Sequence, residues 1–232
     1  MDKFNQLIDQ LNSDSVDTRI AALQGLGDLG DTRAVEPIID LLNDEAEVVY
    51  NAVFWLGQLK DERAVNPLLE LLKKEDKTLH QQIRGQVGVV LSFFDSATEP
   101  LIELLTHQDY GIRLNAVRGL ARYRNKQAVC PLIDLLNIEA NLPSPENSIF
   151  AIFEIIKSLE EIYDDRAIEP LNNLLKHEDI NIPPAAAKAL MEFADKSSIG
   201  PLTELLSNQD LIYQRQAIVE ALESIKYDNE FM

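Results

Sequence analysis

The 232-residue sequence has few of the residue types that many functional sites require. It contains one cysteine, Cys130, and three histidines. A single cysteine excludes an intramolecular disulfide, a CxxC pair and a cysteine-rich zinc or iron–sulfur site, and it favours a reducing compartment. The longest apolar run, around residues 87–94, is far shorter than the ~20 residues that a membrane helix needs. We therefore expect a cytoplasmic protein without a membrane span.

Positive charge is also scarce in this chain. The sequence has 21 Lys and Arg against 39 Asp and Glu, a formal net charge of −18. Attraction to phosphate supplies most non-specific affinity for nucleic acids and anionic membranes, so this balance predicts that neither is a partner. At 46% hydrophobic residues, the chain still has enough apolar material for a continuous core.

Catalytic and metal-binding motifs are missing as well. The sequence has no HExxH, no G-x-x-x-x-G-K-[ST] and no G-x-S-x-G. The histidines, at positions 80, 107 and 177, form no i, i+4 pair. Cys130 stands in AVCPLIDLL, a context that predicts a small core residue. We expect no catalytic residue and no metal ligand.

What the sequence does have is an internal repeat. Prolines recur at positions 37, 67, 100, 131, 170 and 201, and a Leu pair follows each of them at the fourth and fifth positions. The spacings are 30, 33, 31, 39 and 31 residues. An N-terminal segment, LIDQLN, aligns with IIDLLN at an offset of 31. The pattern therefore indicates seven units.

Each unit is predicted to form two helices. The first begins at an Asp or Asn cap with a proline in its first turn, where no intrahelical hydrogen bond is lost. The second is longer, as in RIAALQGLGDLG, and no sustained alternation predicts a strand. We expect an all-α solenoid forming one domain over 1–232. Its approximate repeats are 2–30, 31–60, 61–94, 95–124, 125–163, 164–194 and 195–226.

Three short segments of the sequence resemble the repeats of a known family. RAVEPIIDLL and RAVNPLLELL resemble the first helix of the HEAT-like repeats named after phycobilisome (PBS) lyases, and RIAALQGLGDLG resembles the second helix. The resemblance covers about residues 2–226. It implies an armadillo-type fold, a right-handed α-α superhelix in which the outward face of the second helices lines a concave groove.

The second helices can be aligned on the position of Arg19, where later units have Val49, Arg84, Arg113, Ile152, Pro183 and Arg215. At ~100° per residue, the first, fifth and ninth positions after it point away from the core. In the second and third units these positions are Tyr50, Phe54, Gln58, Gly85, Val89 and Phe93, of which all but Gln58 and Gly85 are large and apolar. An exposed apolar patch indicates a binding site. The alternative is that neighbouring units bury these side chains.

A second candidate feature is electrostatic. Residues 111–126 carry five positive charges and no acid, whereas residues 1–110 and 127–232 carry −11 and −12. Arg118 and Arg122 are i, i+4 neighbours and would form one cationic rung. Guanidinium groups suit carboxylates or phosphates. The alternative is that these arginines pair with acids of adjacent units.

One further departure from the repeat is the long spacing. It arises from about eight extra residues around 138–147, IEANLPSPEN. Two prolines and several polar residues predict a surface loop there. Insertions in solenoids map to loops on one edge, which are often functional. The alternative, which the low cost of lengthening a loop favours, is a tolerated surface insertion.

Our first functional hypothesis is a non-catalytic scaffold or adaptor that holds a protein partner in its groove. An acidic partner segment would suit Arg118 and Arg122. The resemblance implies an alternative, a bilin lyase subunit or another phycobilisome-associated factor. A bilin would then stack on Tyr50, Phe54 and Phe93, with its propionates on the arginines; otherwise no cofactor is expected. Such lyases often act as paired subunits, which implies a hetero-oligomer. A third hypothesis is an enzyme of unrecognised type.

Overall fold

A computed structural model describes residues 2–74, 81–121, 125–142, 145–207 and 215–230, with the backbone alone for 145–148 and 228–230. Within these ranges it has fourteen α-helices and no strand. They are α1 (Lys3–Gln10), α2 (Val16–Leu29), α3 (Val35–Asp40), α4 (Ala46–Leu59), α5 (Val65–Lys73), α6 (Gln81–Leu91), α7 (Thr98–Leu104), α8 (Tyr110–Leu120), α9 (Val129–Ala140), α10 (Pro145–Ile162), α11 (Ile168–Leu174), α12 (Ile182–Phe193), α13 (Ile199–Leu205) and α14 (Arg215–Glu230). The chain is an all-α solenoid, as predicted.

The contacts between residues divide the chain into two compact units, 1–120 and 121–232, called unit 1 and unit 2 below. Unit 1 contains α1 to α8 and unit 2 contains α9 to α14. In unit 1 the second helices of successive pairs pack in series, α2 on α4, α4 on α6 and α6 on α8. In unit 2, α10 packs on α12 and α12 on α14. Each unit is thus a stack of helical hairpins in which a pair contacts its sequence neighbours.

Short 3₁₀ turns directly precede α3, α5, α7, α11 and α13, and all of them except the turn before α7 are capped by an aspartate. Asp61 accepts a hydrogen bond from the backbone N–H of Arg63 at 3.0 Å, and its carboxylate also receives the Arg63 guanidinium at 2.8 Å. The same guanidinium donates to the carbonyl oxygen of Thr32, one repeat earlier, at 2.7 Å. Arg166 repeats this arrangement in unit 2, on Asp164 and the carbonyl of Lys126. The Asp-x-Arg motif therefore both caps a helix and ties neighbouring repeats together.

The apolar repeat positions form the core. The residue after each repeat proline is at most 1% exposed at every position, namely Ile38, Leu68, Leu101, Leu132, Leu171 and Leu202. Burying a side chain of this size contributes about 1.5–3 kcal/mol. The proline-to-leucine spacing therefore sets the buried stripe of each first helix, as the sequence predicted.

The prediction of a surface loop at 138–147 is wrong for most of that segment. Residues 138–140 belong to α9, and α10 begins at Pro145. α9 has 12 residues and α10 has 18, which makes each the longest described helix of its kind. A proline at the first helical position loses no hydrogen bond, so Pro145 starts a helix here. The extra residues lengthen both helices and leave a short connection between them.

In the part of the chain that the structure describes, no helix combines the length and apolar character that a membrane span requires.

Candidate functional site

The outward face of the second helices in unit 1 is set by their buried face. Ala52 and Leu56 of α4, and Val87 and Leu91 of α6, are completely buried. Ala52 and Leu56 lie three and seven positions after Val49, and Val87 and Leu91 lie three and seven positions after Arg84. The helical period predicts that these positions are buried. The fifth and ninth positions therefore point to solvent.

Four large apolar side chains lie on this face and are exposed. Tyr50 and Phe54 project from α4 and are 39% and 42% exposed. Val89 of α6 is 49% exposed, and Phe93, just after α6, is 44% exposed. We call these four residues the aromatic surface. Gln58, one turn after Phe54, is exposed beside them. Neighbouring repeats therefore do not bury these four side chains, contrary to the alternative interpretation.

The rings of the aromatic surface rest on a fixed support. Phe54 meets Trp55 edge to face with 5.0 Å between ring centroids. Trp55 is half-buried against Gly27 of α2, where a Cβ atom would lie only 1.9 Å from Cε3 of the indole. Lys60 lies over the ring of Phe93 at 5.9 Å from its centroid. These contacts restrict the rings, so less entropy is lost when a partner covers them.

A shallow pocket adjoins the aromatic surface between α4 and α6. It has a volume of about 290 Å³ and is lined by Ala46, Glu47, Tyr50, Gln82 and Ile83. The Tyr50 ring forms one wall, so the surface is not flat at this end. A side chain of a partner could be seated there next to the tyrosine.

The helices that carry this face are almost uncharged. α4 has Glu47 as its one charged residue in 14 positions, and α6 has Arg84 as its one in 11. This is unusual in a chain with a net charge of −18. Aromatic enrichment together with charge depletion is the composition of the buried centre of protein–protein interfaces.

Arg118 of α8 lies at the edge of the same face. Its guanidinium would be 3.2 Å from a Cβ atom on Gly85, so the missing side chain makes room for it across α6. Its Nη1 donates to Oδ1 of Asn115 at 3.4 Å, and Asn115 is 1% exposed. Val89 is one helical turn from Gly85, which puts a guanidinium beside the apolar rows. Arg122, the second predicted member of the cationic rung, lies outside the described residues.

The arginines at the start of the second helices have a structural role instead. Each donates to backbone carbonyls near the end of the preceding helix, which otherwise lack intrahelical partners. The bonds run from Arg19 to Ser13, from Arg84 to Lys74, from Arg113 to His107 and from Arg215 to Leu206, at 2.7–3.0 Å. The positive charge of Arg113 therefore serves the fold.

The fifth and ninth positions of α10 and α12 in unit 2 carry charges where α4 and α6 carry Phe54, Val89 and Phe93. The fifth positions are Lys157 and Lys188, and the ninth positions are Glu161 and Glu192, all exposed. Lys157 and Glu161 form an i, i+4 ion pair at 3.7 Å. Within unit 2 this face has the composition of an ordinary solvated surface.

The described residues contain no group of three or more His, Cys, Asp or Glu arranged to hold a metal ion. His107 and His177 each accept a backbone N–H at Nδ1, from Asp109 and Asp179, and so stabilise turns. The expectation that Cys130 belongs to the core is wrong. Its side chain is exposed, and its sulfur accepts a hydrogen bond from Nη1 of Arg166 at 3.3 Å.

The comparisons with known proteins agree with this architecture. The sequence profile of HEAT repeats matches residues 4–88 and 151–223, more than half of the chain. No curated protein matches the chain. Two solved structures show the same fold over nearly their whole length.

The first is an archaeal HEAT-like repeats protein from Thermococcus onnurineus NA1, 15% identical with a TM-score of 0.55 over 98% of both chains. The second is the complex of CpcE and CpcF of phycocyanin lyase from Nostoc sp. PCC7120, 19% identical with a TM-score of 0.50. That match covers 97% of this chain and 95% of the other. At these identities the likeness shows the fold alone. The profile match and the stacked helix pairs together show that the chain belongs to the HEAT-repeat family.

Proposed function

We propose that this chain is a non-catalytic scaffold that binds a protein partner through the aromatic surface of unit 1. The observation that carries the proposal is the exposure, by 39–49%, of four large apolar side chains. Their two helices carry one charged residue each. A monomeric soluble surface rarely groups such residues unless they bind something.

The chemistry of the partner follows from the surface. An apolar or aromatic side chain of the partner would pack on Phe54 and Phe93 and enter the pocket beside Tyr50. Arg118, at the edge of this surface, would pair with a carboxylate of the same partner, because a guanidinium binds carboxylates with two parallel hydrogen bonds. The partner would therefore combine an apolar centre with an acidic flank.

Site-specific photo-crosslinking in a lysate of the source organism tests the proposal. With p-benzoylphenylalanine in place of Phe54, we expect a discrete protein adduct that disappears when Tyr50→Asp and Val89→Asp are added. The matched control puts the same group at Lys157, the equivalent position of unit 2, where no discrete adduct is expected. Identical adducts from both positions, or none from position 54, would contradict the proposal.

A bilin is the alternative ligand for the same surface. The observation that favours it is the position of the Arg118 guanidinium next to Gly85, in line with the exposed side chains of α6. A flat conjugated ligand would stack on the rings and place a propionate on this guanidinium. Mixing the protein with phycocyanobilin would then change the bilin absorbance, and Arg118→Glu would abolish the change. An unchanged spectrum would eliminate this alternative and leave the protein partner.

A further inference from the structure

An arginine links neighbouring repeats at a junction inside unit 1. The Arg63 guanidinium binds Asp61, the capping aspartate of its own repeat, and reaches back to the preceding repeat. There it donates to the carbonyl oxygen of Thr32 at 2.7 Å and lies 3.6 Å from the carboxylate of Glu36, which directly precedes a repeat proline. Three groups therefore face the guanidinium: a capping aspartate, a carbonyl oxygen and the side chain before the proline.

The same arrangement recurs inside unit 2. Arg166 binds the capping Asp164 and reaches back to the carbonyl oxygen of Lys126 at 2.9 Å. Its Nη1 also donates to the sulfur of Cys130, the residue before the repeat proline, at 3.3 Å. The groups that face the guanidinium thus occupy the same repeat positions in both units. The position of the arginine in the repeat therefore determines where its guanidinium binds.

The next junction of unit 2 has the binding groups without the arginine. Asp195 caps the turn before α13, and Ser197 stands two residues later, where the two junctions above have arginine. Glu169 directly precedes the repeat proline, and Asp165 directly follows the capping aspartate of the preceding repeat. Acids therefore occupy all three positions whose side chain or carbonyl oxygen receives the guanidinium elsewhere in the chain.

A groove of about 420 Å³ lies at this junction, and we call it the junction groove. Its described lining residues are Asp165, Ile168, Glu169, Asn172, Asp195 and Ser197. Three of them are acids and none of them is basic, so the groove attracts a cation.

The basic residues nearest in sequence do not occupy the junction groove. The Arg166 guanidinium is directed to the preceding repeat by its bonds to Lys126 and Cys130. Lys196 is exposed and is not one of the lining residues. Asp165 and Glu169 are exposed, and neither forms an ion pair with another described residue. Their carboxylates are therefore accessible to a cation from outside the chain.

Asn172 adds an acceptor to the junction groove. Its position, two residues after the repeat proline, is aliphatic in four other repeats, which have Ile39, Leu69, Ile102 and Ile133 there. The Oδ1 atom of Asn172 is buried, and no described residue donates a hydrogen bond to it. A buried acceptor without a partner costs free energy. An N–H donor that enters the groove would remove this cost.

We propose that the junction groove binds the guanidinium of an arginine side chain from a protein partner. The guanidinium would lie between Asp195 and Glu169, as the Arg63 guanidinium lies between the equivalent acids of unit 1. Its methylene stem would cover Ile168. A planar guanidinium suits this groove better than an ammonium, because it donates to several acceptors in fixed directions. The proposal concerns unit 2 and is independent of the aromatic surface of unit 1.

Amide chemical shifts of the full chain, recorded during a titration with a capped Gly-Arg-Gly peptide, test the proposal. We expect saturable shifts at Asp195 and Ser197, and none with the peptide in which citrulline, uncharged and of nearly the same shape, replaces arginine. A capped Gly-Lys-Gly peptide should bind at least ~3-fold more weakly. Equal Kd values for the arginine peptide and either of the other two would overturn the proposal.

Charge variants locate the binding site in the junction groove. Asp195→Asn keeps the capping oxygen and removes the charge, so it should weaken binding of the arginine peptide at least ~5-fold. Glu178→Gln, at an exposed acid of unit 2 outside the groove, should change the Kd less than ~2-fold. An unchanged Kd in Asp195→Asn would contradict the site.

A second pair of variants keeps every acid of the junction groove. Ser197→Arg restores the arginine of the repeat, which should occupy the groove from within the chain and raise the Kd of the peptide at least ~10-fold. Ser96→Arg is the matched control at the equivalent position of unit 1, where Phe94 replaces the capping aspartate and Asn66 precedes the proline. It adds the same charge and should change the Kd less than ~2-fold. Equal Kd values for these two variants would refute the site.

A titration with ethylguanidine distinguishes a protein side chain from a free small guanidine. The junction groove is lined by exposed acids and is open to solvent, whereas small-molecule sites bury most of the ligand surface. The arginine peptide should therefore bind more tightly, because its longer stem covers Ile168. Tighter binding of ethylguanidine would overturn the assignment to a protein partner.

Discussion

The outward faces of the second helices differ between the two units although the repeat places both in the same way. The fifth position is Phe54 in α4 and Val89 in α6 of unit 1, whereas it is Lys157 in α10 and Lys188 in α12 of unit 2. The charged side chains of α10 and α12 are exposed, as is usual on the solvated face of a helix. Its Lys157–Glu161 pair, at 3.7 Å, is of a type that contributes about 0.3–0.5 kcal/mol. The repeat pattern therefore determines which positions are exposed, but it does not determine whether an apolar or a charged residue occupies them.

Crowding of acids is a further property of the unit 2 face. The pKa of Glu160 is raised above its ordinary value, first because the side chain is partly buried and second because Glu192 is nearby. Nearby Lys157 and Lys188 act in the opposite direction. On this face charges are balanced against one another, whereas α4 and α6 of unit 1 carry only one charged residue each.

Two second helices of unit 1, α6 and α8, approach each other too closely for a side chain to fit between them at Gly88. A Cβ atom on Gly88 of α6 would lie 2.5 Å from the backbone oxygen of Asn115 in α8. The equivalent residues of unit 2, Ile156 and Ala187, have buried side chains in this position. Close backbone contact between α6 and α8 thus positions the aromatic surface and Arg118 relative to each other, and it requires a glycine.

The largest expected effect comes from Gly88→Ala. The added methyl group meets backbone, which cannot move aside as a side chain can, so we expect a loss of about 2–4 kcal/mol in the free energy of unfolding of unit 1. Urea denaturation followed by hydrogen exchange would measure the loss and its location. Gly85→Ala is the matched control, because its Cβ would meet only the movable end of Arg118 at 3.2 Å. Equal losses from the two variants would refute the close contact.

The next effect concerns charge in unit 2. Hydrogen bonds from the Arg166 side chain lower the pKa of Asp164 from 3.8 to about 2. Since this pKa is lower in the folded chain, the ionised carboxylate stabilises the fold above pH 3.8, and the contribution is lost as the pH falls towards 2.

We therefore expect Asp164→Asn to cost about 1 kcal/mol near neutral pH after allowance for solvent screening. Asparagine keeps the capping oxygen, so the loss reports mainly the charge. Denaturation series at several pH values should show wild type and variant converging between pH 3.8 and about 2. A difference that stays constant through this window would contradict the assignment.

The smallest expected effect concerns the ends of the second helices. Ala194 ends α12 in the left-handed region with φ of 51°, and Lys60 ends α4 with the same φ. Glycine adopts this conformation without a steric penalty, so Ala194→Gly should raise the unfolding free energy by about 0.5–1 kcal/mol. Lys60→Gly should gain less, because it also loses the contact with the Phe93 ring. Thermal denaturation of both variants tests this, and a larger gain from Lys60→Gly would show that the ring contact contributes nothing.

Much of the fold could be predicted from local patterns. The proline and leucine spacing identified the buried stripe of each first helix, and the helical period identified Phe54 and Val89 as exposed. The Asp-x-Arg motif stands in the sequence at Asp31, Asp61 and Asp164, and the local pattern predicts only a helix cap there. Its second function depends on a carbonyl about 31 residues earlier, as in the bond from Arg63 to Thr32.

Other features could not be predicted because they depend on distances between segments. The extra residues around 138–147 were expected to form a loop, and prolines and polar residues there gave no indication that α9 and α10 would both continue. The burial of Glu139 and the exposure of Cys130 follow from the packing of neighbouring repeats. A one-dimensional pattern specifies a helical face but not which neighbour covers it.

The amino-acid order alone therefore specifies the helices, their number of repeats and their buried faces, because these depend on caps, periodicity and contacts within about one repeat. Only the folded chain shows that the Arg118 guanidinium lies beside Gly85 at the edge of the aromatic surface, and that the Glu139 side chain is buried. The physical reason is that side-chain packing between helices depends on backbone separations of a few ångströms. The helix period and the repeat length do not encode those separations.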